Sequence, residues 1–136
     1  MVDDNEHGLI ARKNVLKQEG FEAVTATSAE AGLELFDGRH FDLVVTDYKM
    51  GGMDGIAFIA KLRQRSPGTP LILLSGFIEP LGLDEHSTGA DAVLSKCANE
   101  ASSLVRTVKR LLTRRPTRKP VAKETRIKRL AARNIG

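Results

Sequence analysis

Phe41-Asp-Leu-Val-Val-Thr-Asp47-Tyr-Lys-Met-Gly-Gly-Met-Asp-Gly55 is the stretch that decides the fold. Leu43-Val44-Val45 is apolar without alternation, the pattern of a strand covered on both faces. The run ends in one carboxylate, Asp47, and Gly51, Gly52 and Gly55 then turn the chain back toward a helix. Strands buried on both faces belong to parallel sheets, and open α/β sheets hold their ligands beyond the carboxyl ends of the strands. Asp47 is thereby expected on a rigid element within reach of solvent, fit to act as nucleophile or metal ligand. A lone Asp in such a place also serves commonly as a turn or cap residue, so the other residues must decide.

Helical and strand signals alternate on either side. Leu9, Ile10, Val15 and Leu16 stand near helical spacing, with Gly20 as a stop. Phe21–Thr25 is a short strand candidate. Ser28 is placed to cap a helix carrying Ala31, Leu35 and Phe36 that stops near Asp37-Gly38. Ile56, Ile59, Ala60 and Leu62 mark the next helix, closed by Ser66-Pro67-Gly68, and Leu71–Leu74 is a second wholly apolar strand. Ile78–Thr88 is a weak helix interrupted by Pro80 and Gly82. Ala90–Leu94 is the last strand candidate, and Leu104, Val105, Val108, Leu111 and Leu112 form the most amphipathic helix. Repeated strand–helix units of this length predict a parallel sheet covered on both faces. Only Met1 and Val2 precede Asp3, so the first strand is expected to be shortened.

The 136 residues suit one domain, and 41% hydrophobic with 28% charged residues is ordinary for a globular chain. No apolar run approaches the roughly 18 residues of a membrane span, and Met1-Val2-Asp3-Asp4 is acidic where a secretory signal is basic. The single cysteine, Cys97, excludes an internal disulfide framework and suits a reducing, cytoplasmic setting. The net charge of +4 conceals a division: residues 1–113 carry a net −4 and residues 114–136 a net +8. The boundary is accordingly placed at 113/114. Pro116 and Pro120 keep the last helix from continuing, and a chain ending at Thr113 is expected to keep the fold. The basic tail contains no aromatic residue for base stacking. Its charge suits weak contact with nucleic acid or an anionic surface.

Asp3, Asp4, Asp47, Ser75 and Lys96 fall at the ends of successive strand candidates. In a parallel sheet those ends share one edge, so these side chains are expected to converge. Crowded carboxylates repel unless a cation sits among them. With no Cys or His alongside, the fitting ion is a hard, oxygen-seeking one, Mg²⁺. Lys96 offers a point charge for an anion and Ser75 a hydroxyl donor. These are the parts that phosphoryl transfer to an aspartate requires.

In this arrangement the chain resembles the response-regulator receiver domains of two-component signalling. The resemblance rests on Val2-Asp3-Asp4-Asn5, Asp42–Asp47 with Met50 and Asp54-Gly55, Leu73-Leu74-Ser75-Gly76, and Gly89–Lys96. It implies a flavodoxin-like, doubly wound α/β fold with five parallel strands in the order 2-1-3-4-5. It also implies a phosphoryl group accepted on Asp47 from a histidine kinase or phosphotransfer protein. Mg²⁺ would be held by Asp3, Asp4, Asp47 and the Lys49 backbone carbonyl. Lys96 would neutralise phosphoryl charge, Ser75 would carry the signal outward, and output would pass to a downstream protein. Lys49 and Phe77 stand where the family tunes phosphoryl lifetime. Val93 stands where the family has Tyr or Phe. Cys97 stands where it has a cis proline, and a cis bond there would cost about 3 kcal/mol. Two alternatives stay open: a receiver-like scaffold acting without phosphorylation, and a haloacid-dehalogenase-like phosphatase. The phosphatase pattern wants a second Asp at position 49, where this chain has Lys49.

Overall fold

The structure is a computed structural model that describes residues 1–76, 85–96, 100–113 and 134–135. In chain order the elements are α1 (Glu6–Gln18), β1 (Ala23–Val24), α2 (Ala29–Gly38), β2 (Val44–Asp47), α3 (Gly55–Arg65), β3 (Leu71–Ser75), α4 (Glu85–Thr88), β4 (Ala92–Ser95), α5 (Glu100–Thr113) and β5 (Asn134–Ile135). Most of the helix expected over Ile78–Thr88, together with Phe77, Cys97 and the tail through residue 133, lies outside the described residues.

Local chemistry sets the helix ends. The Asn5 side chain caps α1 by accepting from the amides of His7 and Gly8. At the other end Gly20, at φ +90°, lets the amides of Gly20 and Phe21 return to the carbonyls of Lys17 and Leu16. That left-handed closure is the reason for glycine there. Ser28 caps α2 and Asp54 caps α3, each side-chain oxygen accepting from an amide three residues on. Arg63 closes the far end of the sheet: it donates to the carbonyls of Gly89, Pro67 and Thr69 and pairs with Asp91, which accepts from the Leu71 amide.

All strand pairs are parallel, and the sheet runs β1-β5-β2-β3-β4. Strand period places alternate residues on opposite faces. Val45, Ile72 and Leu74 join Leu9 and Leu16 of α1 and Leu104 and Val108 of α5 in one core. Val44, Leu71 and Leu73 join Phe58, Ile59 and Leu62 of α3 in the other. The unbroken apolar runs follow from this double coverage.

The central position of the sheet is filled from both ends of the chain. At its carboxyl end Val2 bridges Ala26 and Thr46, and Met1–Asp3 exchanges backbone hydrogen bonds with Ala26, Val45 and Asp47. The Met1 amine donates to the Val24 carbonyl at 2.9 Å. Its burial, aided by the charge of Arg12, holds its pKa well below the usual amine value. Two register steps back, Ile135 pairs with Val24 and Val44, and Asn134 with Ala23. At the start of the chain Val2 forms isolated bridges rather than a strand. Asn134 and Ile135, within the basic stretch 114–136, pair inside the sheet. These two residues supply strand partners to the backbone of β1 and β2 at that register.

The α1 face also differs from the expected one. Ile10 is 57% exposed, whereas Arg12 is buried between Leu9 and Leu16.

Gly32 brings α2 against this central strand, since a Cβ would lie 2.8 Å from Val2 Cγ2 and 3.0 Å from Phe58 Cζ. Removing residues 134–136 should expose backbone of β1 and cost about 1–3 kcal/mol. Urea unfolding with amide exchange along β1 measures this. Unchanged stability and protection would mean that β5 contributes nothing to the sheet.

Candidate functional site

Two chain segments bring three carboxylates to the carboxyl edge of the sheet. Asp3 and Asp4 follow the central bridge at Val2, and Asp47 ends β2. The amide of Asp47 donates to the Val2 carbonyl at 2.8 Å, which fixes the two segments side by side. One oxygen from each of Asp3, Asp4 and Asp47 lies within 4.8 Å of the others. Asp3 and Asp47 are buried, whereas Asp4 is exposed and accepts from the Gly51 amide at 3.2 Å.

The loop after β2 is held close by a glycine. A Cβ on Gly55 would stand 2.4 Å from the Asp47 carbonyl oxygen. The Gly55 amide donates to Tyr48 at 2.7 Å, so α3 starts directly under the end of β2.

Lys96 arrives from just beyond β4. Its Nζ stands 2.5 Å from Asp47 Oδ1 and 3.3 Å from Asp3 Oδ2. Its amide donates to the Ser75 carbonyl at 3.0 Å, which ties it to the end of β3. Ser75 is buried and lies one register step beyond Asp47 on the neighbouring strand. Lys49 is exposed in the loop after Asp47. Val93 pairs with Leu73 and packs, half-buried, on the α3 side of the sheet. Asp3, Asp4, Asp47 and Lys96 thus converge at one edge with Ser75 at the end of the neighbouring strand, and Lys49, expected to offer only its backbone carbonyl, lies in the loop just after Asp47.

Sequence reasoning missed Arg12. Its guanidinium reaches Asp3 Oδ2 at 3.0 Å and lies 3.3 Å from Glu100 Oε2. The available signal was its position three residues after Leu9 and four before Leu16, on the buried stripe of α1.

Burial pushes the Asp47 carboxyl above the usual range. The hydrogen bond from Lys96 acts against this, the charge of Asp3 adds to it, and the charges of Lys96 and Arg12 oppose it. An all-oxygen set that includes two buried carboxylates fits a hard divalent cation. It also fits an electrophilic group presented to Asp47 from solvent.

Residues 1–109 match the family model described as the response regulator receiver domain, and the chain belongs to that family. It is 34% identical over 76 residues to the transcriptional regulatory protein GlrR of Escherichia coli, covering 55% of this chain and 17% of that protein. It is 33% identical over 96 residues to the autoinducer 1 sensor kinase/phosphatase LuxN of Vibrio campbellii, covering 71% of this chain and 11% of that protein. The chain therefore spans only a small part of these relatives.

Among solved structures it is similar to a CheY-like receiver domain protein from Methanospirillum hungatei, with a TM-score of 0.76 and 29% identity over 84% of this chain and 91% of that one. It is also similar to the response regulator TrrA of Thermotoga maritima in complex with Mg²⁺-BeF, with a TM-score of 0.73 and 31% identity over 81% of this chain and 94% of that one. No helix among the described residues is long and apolar enough to cross a membrane.

An acid whose pKa is raised on folding binds its proton more tightly when folded. Its contribution to stability therefore falls as pH rises from the ordinary carboxylate value through the raised one. With a chelator present, Asp47→Asn should melt above wild type at neutral pH, and the difference should close as pH drops into the acid range. Thermal unfolding across pH measures this. A gap that stays constant, or a destabilised variant, would contradict the burial argument.

Proposed function

We propose that the chain is a phosphoacceptor switch in which Asp47 receives a phosphoryl group from a histidine kinase or a phosphotransfer protein. The observation that carries this reading is the convergence of Asp3, Asp4 and Lys96 on Asp47 at the sheet edge. An Asp47 oxygen attacks phosphorus, the phosphorus–nitrogen bond of the donor phosphohistidine breaks, and its electron pair returns to the imidazole. Asp3, Asp4 and Asp47, with the Lys49 carbonyl, are the groups that would hold Mg²⁺. The ion would neutralise charge on the transferring oxygens. Lys96, already against Asp47, would stay beside the phosphoryl group as a counter-charge. Ser75 would donate to a phosphoryl oxygen and carry the change outward.

The reading extends to the rest of the chain. The sheet is taken as order 2-1-3-4-5, with Met1–Asp3 as its first strand. Residues 1–113 form the receiver, and 114–136 a basic tail anchored at its end. The protein works as a switch through contact with a downstream protein, in the cytoplasm, and not as an enzyme on a separate substrate. Weak contact of the tail with nucleic acid or an anionic surface is a secondary role, supported by its net charge of +8. Against a phosphatase stands Lys49, where that chemistry would want a second carboxylate.

Incubation with acetyl phosphate and Mg²⁺, followed by intact mass, should add one phosphoryl group to wild type and none to Asp47→Asn. Asp4→Ala should slow the labelling by about 10-fold or more, the scale of losing one group that stabilises transferring charge. Equal labelling of wild type and Asp47→Asn would refute the assignment.

A further inference from the structure

Arg12 is a charge at the centre of an apolar stripe. It is 6% exposed between Leu9 and Leu16, which are 3% and 0% exposed. A guanidinium stays protonated in proteins and is costly to bury unless its partners are charged and close. Its Nη2 stands 3.0 Å from Asp3 Oδ2, and its Nε 3.3 Å from Glu100 Oε2 in the first turn of α5. Among the described residues Nε makes no hydrogen bond, so the contact with Glu100 is an ion pair of imperfect alignment. Gly8 makes the room: a Cβ there would lie 3.0 Å from Nη1 and 3.2 Å from Nη2. Asp3 Oδ2 is in turn shared with Lys96 at 3.3 Å. A continuous line of charge, Glu100–Arg12–Asp3, thus joins the acidic pocket to the last helix.

We propose that Arg12 is a positioning residue that couples cation occupancy of the Asp3–Asp4–Asp47 pocket to the first turn of α5 through Glu100. This rests on the reading of that pocket as a cation site. Without a cation, Arg12 is held by both Asp3 and Glu100. A divalent ion drawn to Asp3 competes for its charge and repels the guanidinium, which shifts the balance of Arg12 toward Glu100. Because coupling between sites is reciprocal, a strong Glu100 partner helps the pocket to release Arg12 and accept the ion. The route uses neither Ser75 nor an aromatic at position 93. It therefore offers this chain, with Val93 there, a way to report on its acidic pocket.

The test is a double-mutant cycle read by Mg²⁺ titration, followed through fluorescence of Tyr48, the chain's single tyrosine beside Asp47, with no tryptophan to mask it. Arg12→Met should tighten Mg²⁺ binding, and Glu100→Gln should weaken it by about three- to fivefold in the wild-type background, a coupling of ordinary size for groups sharing one ion-pair network. In the Arg12→Met background, Glu100→Gln should have almost no effect. Equal weakening in both backgrounds would mean that Glu100 acts on the pocket directly through space, and would overturn the coupling.

Gly8→Ala is a second variant that favours helix and crowds the guanidinium instead of removing it. It should tighten Mg²⁺ and shrink the Glu100→Gln effect. An unaltered effect would also overturn the proposal. Asp4→Ala separates the two levels of the reading. If wild type shows no Asp4-dependent Mg²⁺ binding, the pocket is not a cation site and both readings fall. Asp4-dependent binding with additive Arg12 and Glu100 effects overturns the coupling alone.

Discussion

The rest of the structure is arranged around a like-charge problem. Asp3 and Asp47 are both buried, on adjacent backbone segments tied by the bond from the Asp47 amide to the Val2 carbonyl. Burial pushes the Asp47 carboxyl up, and the neighbouring Asp3 charge adds to that push. Lys96 answers Asp47 and Asp3, and Arg12 answers Asp3 from the opposite side. The Asp47 carboxyl nevertheless remains raised above its usual range. Burial is the main cause, so the buried carboxylate gains from a bound cation or from transfer to an electrophilic phosphorus.

Much of the fold is explained by the need to hold these groups still. Val44, Val45 and the apolar run of β3 bury the sheet from both faces, so Asp47 stands on a backbone that cannot slip register without exposing a core. Gly55 admits the Asp47 carbonyl at a distance no side chain would allow. Gly32 does the same for Val2, which precedes the acidic pair. Arg63, far from the chemistry, collects three carbonyls from the connections before β3 and β4 and keeps the two strands aligned. Each device acts on the position of a charge by way of the backbone.

The central strand position is assembled from two chain segments. Met1–Asp3 supplies only its carboxyl end, the end that carries the acids. Asn134 and Ile135 supply two further residues behind it in the same direction. The chemistry depends on the first part and the pairing of β1 on both. Burial of Met1 in the core shared by α1 and α5 anchors the short segment from the side as well.

Taken alone, the sequence determined the alternating architecture, the buried strands and the convergence of Asp3, Asp4, Asp47, Ser75 and Lys96. Each of those depends on local period, on turn residues and on the rule that parallel strands end on one edge. The charge division between residues 1–113 and 114–136 was equally legible. What only the tertiary structure decided was which partner each charge meets. Ile10 and Arg12 both fit a helix, and composition favours Ile10 for the core. Yet the residue facing Asp3 and Glu100 is Arg12, because their carboxylates make burial of a guanidinium tolerable. Nor did any local signal mark Asn134–Ile135 as a strand. A two-residue pairing is set by the strands beside it, and those exist only once β1 and β2 are in place.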